Sequence, residues 1–237
     1  DLVIDVTDAA TGTADVVNLV MINDADMVVE GVHVSDVETI NITSTDTDLT
    51  DLIVPVMSLS VRDGAVTTMT ADGNAALTLE LHPGIVALTS LDASDMTQTL
   101  NAYTNGTVAQ TILGGSGNDI LDARGTSDVL MGNNGDDLLL SGNLAQLTGG
   151  AGVDTFDMTK ILINVNSYAS VLDATSGDII KANPGDFIAA EIILAPTAVF
   201  QDYANAAVNG TTVNNDITWF QFGDDTYVIQ DAITGGA

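Results

Sequence analysis

The chain contains no cysteine, so neither disulfide bridges nor thiolate metal sites are open to it. Basic residues are nearly absent: four Lys and Arg stand against 33 Asp and Glu, a formal net charge of −29. Nucleic acid and anionic lipid both need Lys and Arg to neutralise their phosphates, which excludes them as partners. No apolar run reaches transmembrane length and no signal or transit peptide pattern is present, so membrane insertion is not expected. The motifs of common catalytic centres are missing too: no H-E-x-x-H, no G-x-S-x-G and no Cys/His pairing, so no enzyme activity is expected.

The 237 residues are 46% hydrophobic, enough for one elongated domain or two compact ones. Only four acids are Glu (Glu30, Glu38, Glu80 and Glu191), and a surplus of the shorter Asp favours turns and ion sites over helix faces. The start at Asp1-Leu2-Val3-Ile4, inside a strand-like run, leads us to expect a segment of something longer.

Residues 114–157 carry a repeat of period nine: GGSGNDILD, ARGTSDVLM, GNNGDDLLL, a link SGNLAQLT, then GGAGVDTFD. Glycine recurs at positions one, two and four, Asp at six and an apolar residue at eight. Tight turns that aim carbonyls at an ion need backbone angles that glycine adopts cheaply. Two nonapeptides close one coil, so Asp119 and Asp137, eighteen apart, are expected to stack on one edge. Asp154 follows seventeen on because the link 141–148 is one residue short, and Asp128 lies on the opposite edge with Gln146 as its expected counterpart. Calcium, a hard cation taking six to eight oxygens, suits such edges. The candidate metal-binding residues are Gly114, Gly115, Ser116, Gly117, Asp119, Asp128, Gly132, Asn133, Asn134, Gly135, Asp137, Gly149, Gly150, Gly152 and Asp154.

Before the repeat, short β-branched runs alternate with turns at Thr11-Gly12, Asp63-Gly64, Asp72-Gly73 and Pro83-Gly84. The expected strands are 3–6, 15–22, 27–34, 39–43, 52–61, 66–69, 76–81 and 85–91. Spacing near ten fits a β-sandwich or a parallel β-helix; the helix is preferred because it can run into the roll and share its hydrophobic column, with a join near 101–110. Asp46-Thr47-Asp48 lacks the glycine and glutamate of an EF-hand and is expected to be solvated turn acids. His33 and His82 have no companion ligands, and the N-x-Thr triplets at Asn41, Asn105 and Asn209 carry little weight. Met21, Met27, Met57, Met69 and Met96 are read as core filler.

After the repeat, 160–171 is strand-like, 172–180 is strand, turn, strand, and Gly185-Asp186-Phe187-Ile188 repeats the Gly-Asp-apolar signature. A helix is expected over 197–208, between Pro196 and Gly210. A β-hairpin follows, 217–222 and 226–230 about the turn 223–225. Helix and hairpin together are expected to cap the open end of the roll.

The nonapeptide resembles the RTX repeat of proteins exported by type I secretion. The segments 32–42, 88–96 and 219–231 are similar to RTX-bearing bacterial surface-layer proteins. That resemblance implies an all-β fold, a right-handed parallel β-helix or β-roll with a C-terminal hairpin-plus-helix cap. Its expected parts are residues 1–109 (short strands), 110–158 (calcium roll) and 159–237 (cap), or one continuous elongated domain. It further implies calcium as cofactor and self-assembly into a lattice on the extracellular cell surface. Lipopolysaccharide of the outer membrane would be a partner through another region, and the export signal would lie beyond Ala237. Two alternatives remain: a calcium-stiffened segment of an RTX adhesin, or the secretion domain of an exoenzyme.

Overall fold

The computed structural model describes residues 2–7, 14–33, 37–48, 56–62, 65–106, 108–161, 168–183, 190–209 and 216–230. In chain order the strands are β1 (Leu2–Thr7), β2 (Val16–Asn23), β3 (Met27–His33), β4 (Thr39–Asp46), β5 (Val56–Arg62), β6 (Thr68–Gly73), β7 (Ala76–Leu81), β8 (Ser90–Met96) and β9 (Leu100–Tyr103). They continue as β10 (Thr111–Leu113), β11 (Ile120–Asp122), β12 (Val129–Asn134), β13 (Leu138–Leu140), β14 (Gln146–Ala151), β15 (Thr155–Asp157), β16 (Ser170–Val171) and β17 (Ile179–Lys181). A helix α1 (Phe200–Asn209) and two further strands, β18 (Ile217–Phe222) and β19 (Asp225–Gln230), complete the described elements.

Strands alternate between two sheets. One runs β1-β2-β4-β6-β8-β10-β12-β14-β16 and the other β3-β5-β7-β9-β11-β13-β15-β17. All pairs within them are parallel except β1 with β2. Parallel neighbours in one sheet, with every other strand in the second, mean that the chain winds as stacked coils.

The winding follows from the alternation in each strand. Side chains turn to opposite faces at successive residues, and β2 buries Val17, Leu19 and Met21 while Val16, Asn18 and Val20 stay half-exposed. Pairing then stacks like on like. Val17, Ile40, Met69, Leu91, Ile112, Leu130 and Leu147 form one buried column of seven coils. Leu59, Leu79, Ala102, Leu121, Leu139 and Phe156 form the facing one. Each large member contributes about 1.5–3 kcal/mol by leaving water. The ladder crosses residue 109 without a break, as a shared column requires.

Coil length is not constant. Thr39 pairs with Thr68, 29 residues on, and Thr68 with Ser90, 22 on. In the roll Thr111 pairs with Val129, eighteen on, and Leu138 with Thr155, seventeen on; the last coil widens again, Thr155 pairing with Ile179, 24 on. Strands shrink in step, so β10, β11, β13 and β15 each turn one apolar side chain fully inward.

Several expected strands are displaced. The run 85–91 is mostly a corner, with Ile85 and Leu88 buried in it, and the strand is Ser90–Met96. Its outward Asp92 and Ser94 disguise the inward Leu91 and Ala93 as a polar turn. Val66 is likewise a buried corner ahead of β6. β9 overlaps the start of the expected join at 101–110. β4 outlasts its apolar residues because Ser44 turns inward and donates to the Ala75 carbonyl at 2.9 Å. Of 160–171, residues 162–167 lie outside the described residues, as do 52–55 and 185–188.

Contacts divide the chain into residues 1–181 and 182–237. In the second unit α1 packs on the β18–β19 hairpin through Phe200, Tyr203, Phe220, Phe222 and Tyr227, whose ring centroids lie 4.8–6.0 Å apart. The helix begins at Phe200 rather than 197, where the Asp202 carboxylate accepts from the Val199 N–H at 2.9 Å. The hairpin turn is shorter than expected: Phe222 pairs with Asp225 across Gly223 and Asp224.

Candidate cation site along the aspartate column

The period-nine register places an Asp immediately before four strands of the roll, β11, β12, β13 and β15. Asp119, Asp137 and Asp154 precede β11, β13 and β15, and all three are buried (1, 2 and 1% exposed). Their carboxylates turn back onto the coil before. Asp119 Oδ1 accepts from the Leu100 N–H at 2.7 Å, and Asp137 Oδ1 from the Asp119 N–H at 2.7 Å. Asp154 Oδ1 accepts from the Asp137 N–H at 2.9 Å. The other oxygen of Asp119 takes the Gly115 N–H at 2.7 Å. Asp137 Oδ2 is different: it is fully buried and no donor reaches it.

The glycines leave the room these carboxylates occupy. A Cβ on Gly132 would collide with Asp137 Oδ2 and stand 2.6 Å from the Gly149 carbonyl oxygen. A Cβ on Gly114 would meet Asp119 Oδ2 and, at 2.7 Å, the Gly132 carbonyl; one on Gly149 would meet the Asp154 carboxylate. At Gly114 and Gly132, then, a carboxylate oxygen and a carbonyl of the next coil converge beside a glycine. Gly150 adopts φ 103° against the Asn133 carbonyl, an angle that excludes most side chains. Gly117 and Gly135 press on the coil before them, Gly135 and Gly152 also with positive φ.

The remaining expected ligands divide. Asn133 holds φ 75° and donates its Nδ2 to the Gly114 carbonyl at 2.6 Å, acting as a donor here. Ser116 and Asn134 have exposed side chains, Ser116 Oγ donating to the Met96 carbonyl at 3.3 Å. Asp128, on the opposite edge, is 0% exposed and saturated by protein donors. Its Oδ1 accepts from the Gln110 N–H at 2.9 Å, and its Oδ2 from Thr104 Oγ1 at 2.7 Å and the Gly125 N–H at 2.9 Å. Its counterpart one coil on is Ala145, not Gln146, because Val129 pairs with Gln146. Leu140 still pairs with Asp122 at eighteen, but Asn143 bridges Thr126 at seventeen, so the missing residue is lost at the Ser141-Gly142 corner.

Like charge and burial act together on the column. Burial, first, and then the charges of Asp119, Asp154 and Asp136 push the Asp137 carboxyl up to about 7, against the pull of its bond from the Asp119 N–H. Burial raises Asp119 to about 6 despite the Leu100 and Gly115 N–H groups. Asp154 is also raised, by burial and then by Asp178, Asp173 and Asp136.

Two members of the site escape the nine-residue register. Asp178, before β17, accepts the Asp154 N–H at 2.9 Å and so extends the column by one coil. Asp173 accepts the Gly149 and Gly150 N–H groups at 2.9 and 2.8 Å. Gly177-Asp178-Ile179-Ile180 carries the same signature as the roll turns, and it is hidden only by its 24-residue interval. Elsewhere, Asp46 is buried rather than solvated, its Oδ1 accepting from the Asp48 N–H at 2.9 Å. The His82 ring accepts from the Gly84 N–H within its own turn, while the His33 side chain lies outside the described residues.

Among the described residues no three His, Asp or Glu side chains group closely enough to hold a metal by themselves. A cation on this column must be held by one or two carboxylates together with backbone carbonyls. The oxygen-only donor set, the orphan Asp137 Oδ2 and the glycine-lined room beside it fit a hard cation of calcium's preferences. No protein-family model matches the chain, and no curated protein matches it.

Proposed function

We propose that the roll is a calcium-binding element, and that the chain is a structural module which self-assembles into a surface layer outside the cell. The observation that carries this reading is Asp137. Its Oδ2 is buried without a donor, and three further carboxylates crowd it. Isolated buried charge of that kind is costly, and a buried carboxylate is normally paired, protonated or metal-bound. Calcium at Asp137, with the Gly149 carbonyl and the neighbouring column, removes the conflict. Extracellular calcium modules bind at about 10⁻⁴–10⁻³ M, so the roll closes after export, where calcium is abundant. The charge makes such assembly depend on calcium: copies at −29 repel unless cations lie between them.

Circular dichroism in chelator and then in calcium tests the first step, with strand signal expected to rise on titration. Light scattering at calcium levels beyond that change tests the second. Unchanged strand content would remove the calcium reading. A calcium-folded protein that stays monomeric at high concentration would favour the adhesin alternative over the lattice.

A further inference from the structure

Three of the chain's four basic residues converge at one corner of the roll. Pairing sets Tyr103, Asp122, Leu140, Asp157 and Lys181 in a single row across the second sheet. Lys160 Nζ reaches both oxygens of the nearly buried Asp122 at 2.9 Å, and Arg124 Nε meets the same carboxylate at 2.9 Å. The central carbon of the Arg124 guanidinium lies over the Tyr103 ring, 3.5 Å from its centroid. Lys181 Nζ stands 3.7 Å from Asp157.

Asp122 and Asp157 pair with these three cations, so the corner gathers most of the positive charge of a strongly negative molecule. All three cationic side chains stay about half-exposed, at 50, 48 and 57%. Arg124 uses only Nε inside the corner, and no described residue takes its two terminal amino groups. With the guanidinium over Tyr103, they remain to receive a carboxylate, which such a fork can take bidentately.

We infer that this corner docks an acidic turn of a second copy of the chain. Charge decides between occupants. A long polyanion would meet three cations here and, beyond them, a chain of net charge −29 with one further basic residue. A single Asp-bearing turn needs no more than this corner offers, and each copy carries 33 acids against four bases. Docking here supplies a direct ion-pair contact besides those bridged by calcium. The inference rests on the self-assembly reading and names one of its contacts.

The test mixes ¹⁵N-labelled and unlabelled protein at calcium that saturates the dichroism change, then adds a carbodiimide, which joins lysine to touching carboxylates. Lys160 linked to Asp122 within one chain is the internal control. Expected are mixed-isotope links from Lys160 or Lys181 to Asp or Glu of the other copy, and Lys181→Glu should weaken association roughly threefold. Assembly with intrachain links alone overturns this inference and leaves the lattice reading standing. Calcium-dependent folding with no assembly overturns both. Protection of the lysines by an added sulfated polysaccharide, with loss of the mixed links, gives the corner to an anionic glycan and overturns docking of a second copy.

Discussion

Asp137 and Asp128 occupy the same position of the repeat and do different work. Asp128 spends its oxygens on three protein donors, two backbone N–H groups and the Thr104 hydroxyl. Asp128→Ala would orphan those buried donors at about 1–3 kcal/mol each, with or without calcium. Asp137→Asn keeps an acceptor for the Asp119 N–H and deletes a charge crowded by like charges. It should therefore melt higher than wild type in chelator and lower than wild type in calcium. Melting temperatures of both variants in the two buffers check this, and an Asp137→Asn shift of the same sign and size in both would show that no cation uses that carboxylate.

At the scale of elements, the sheets were legible wherever a strand alternates apolar with polar through Val, Ile and Leu. β2 and β7 stand within a residue of where the pattern puts them, as does the β18–β19 hairpin apart from its shorter turn. The pattern fails where outward polar residues sit in a strand, as Asp92 and Ser94 do in β8, and where apolar residues fill corners, as Ile85 and Leu88 do. The stacking of Asp119 on Asp137 was legible from the interval alone. Asp178 was not, because its coil is longer and interval counting cannot see through an insertion. The column these residues form has its own pH signature. Raised acids bind more protons folded than unfolded, so their contribution is complete below the ordinary Asp value of 3.8 and is lost as pH rises to about 7. Urea midpoints in calcium-free buffer should fall from pH 4.5 to 7.5, and calcium should flatten that slope. A calcium-free midpoint that rises over this window would contradict the column's electrostatics.

At the scale of the whole molecule, the first coils and the roll are one ladder built on different terms. β2, β5 and β7 each bury three apolar side chains, whereas β10, β11, β13 and β15 bury one each. A coil with so thin a core relies on its corners, and along one edge those corners stack carboxylate on carboxylate. Calcium should accordingly stabilise one stretch of the ladder and leave the rest nearly unchanged. Residue-resolved hydrogen exchange in excess calcium and in chelator measures that most directly. Amides of 111–157, the Asp119 and Asp137 N–H above all, should pass from rapid exchange to strong protection on adding calcium, with those of β2 to β8 little altered. Equal protection of the two stretches in both buffers would contradict a calcium-built roll.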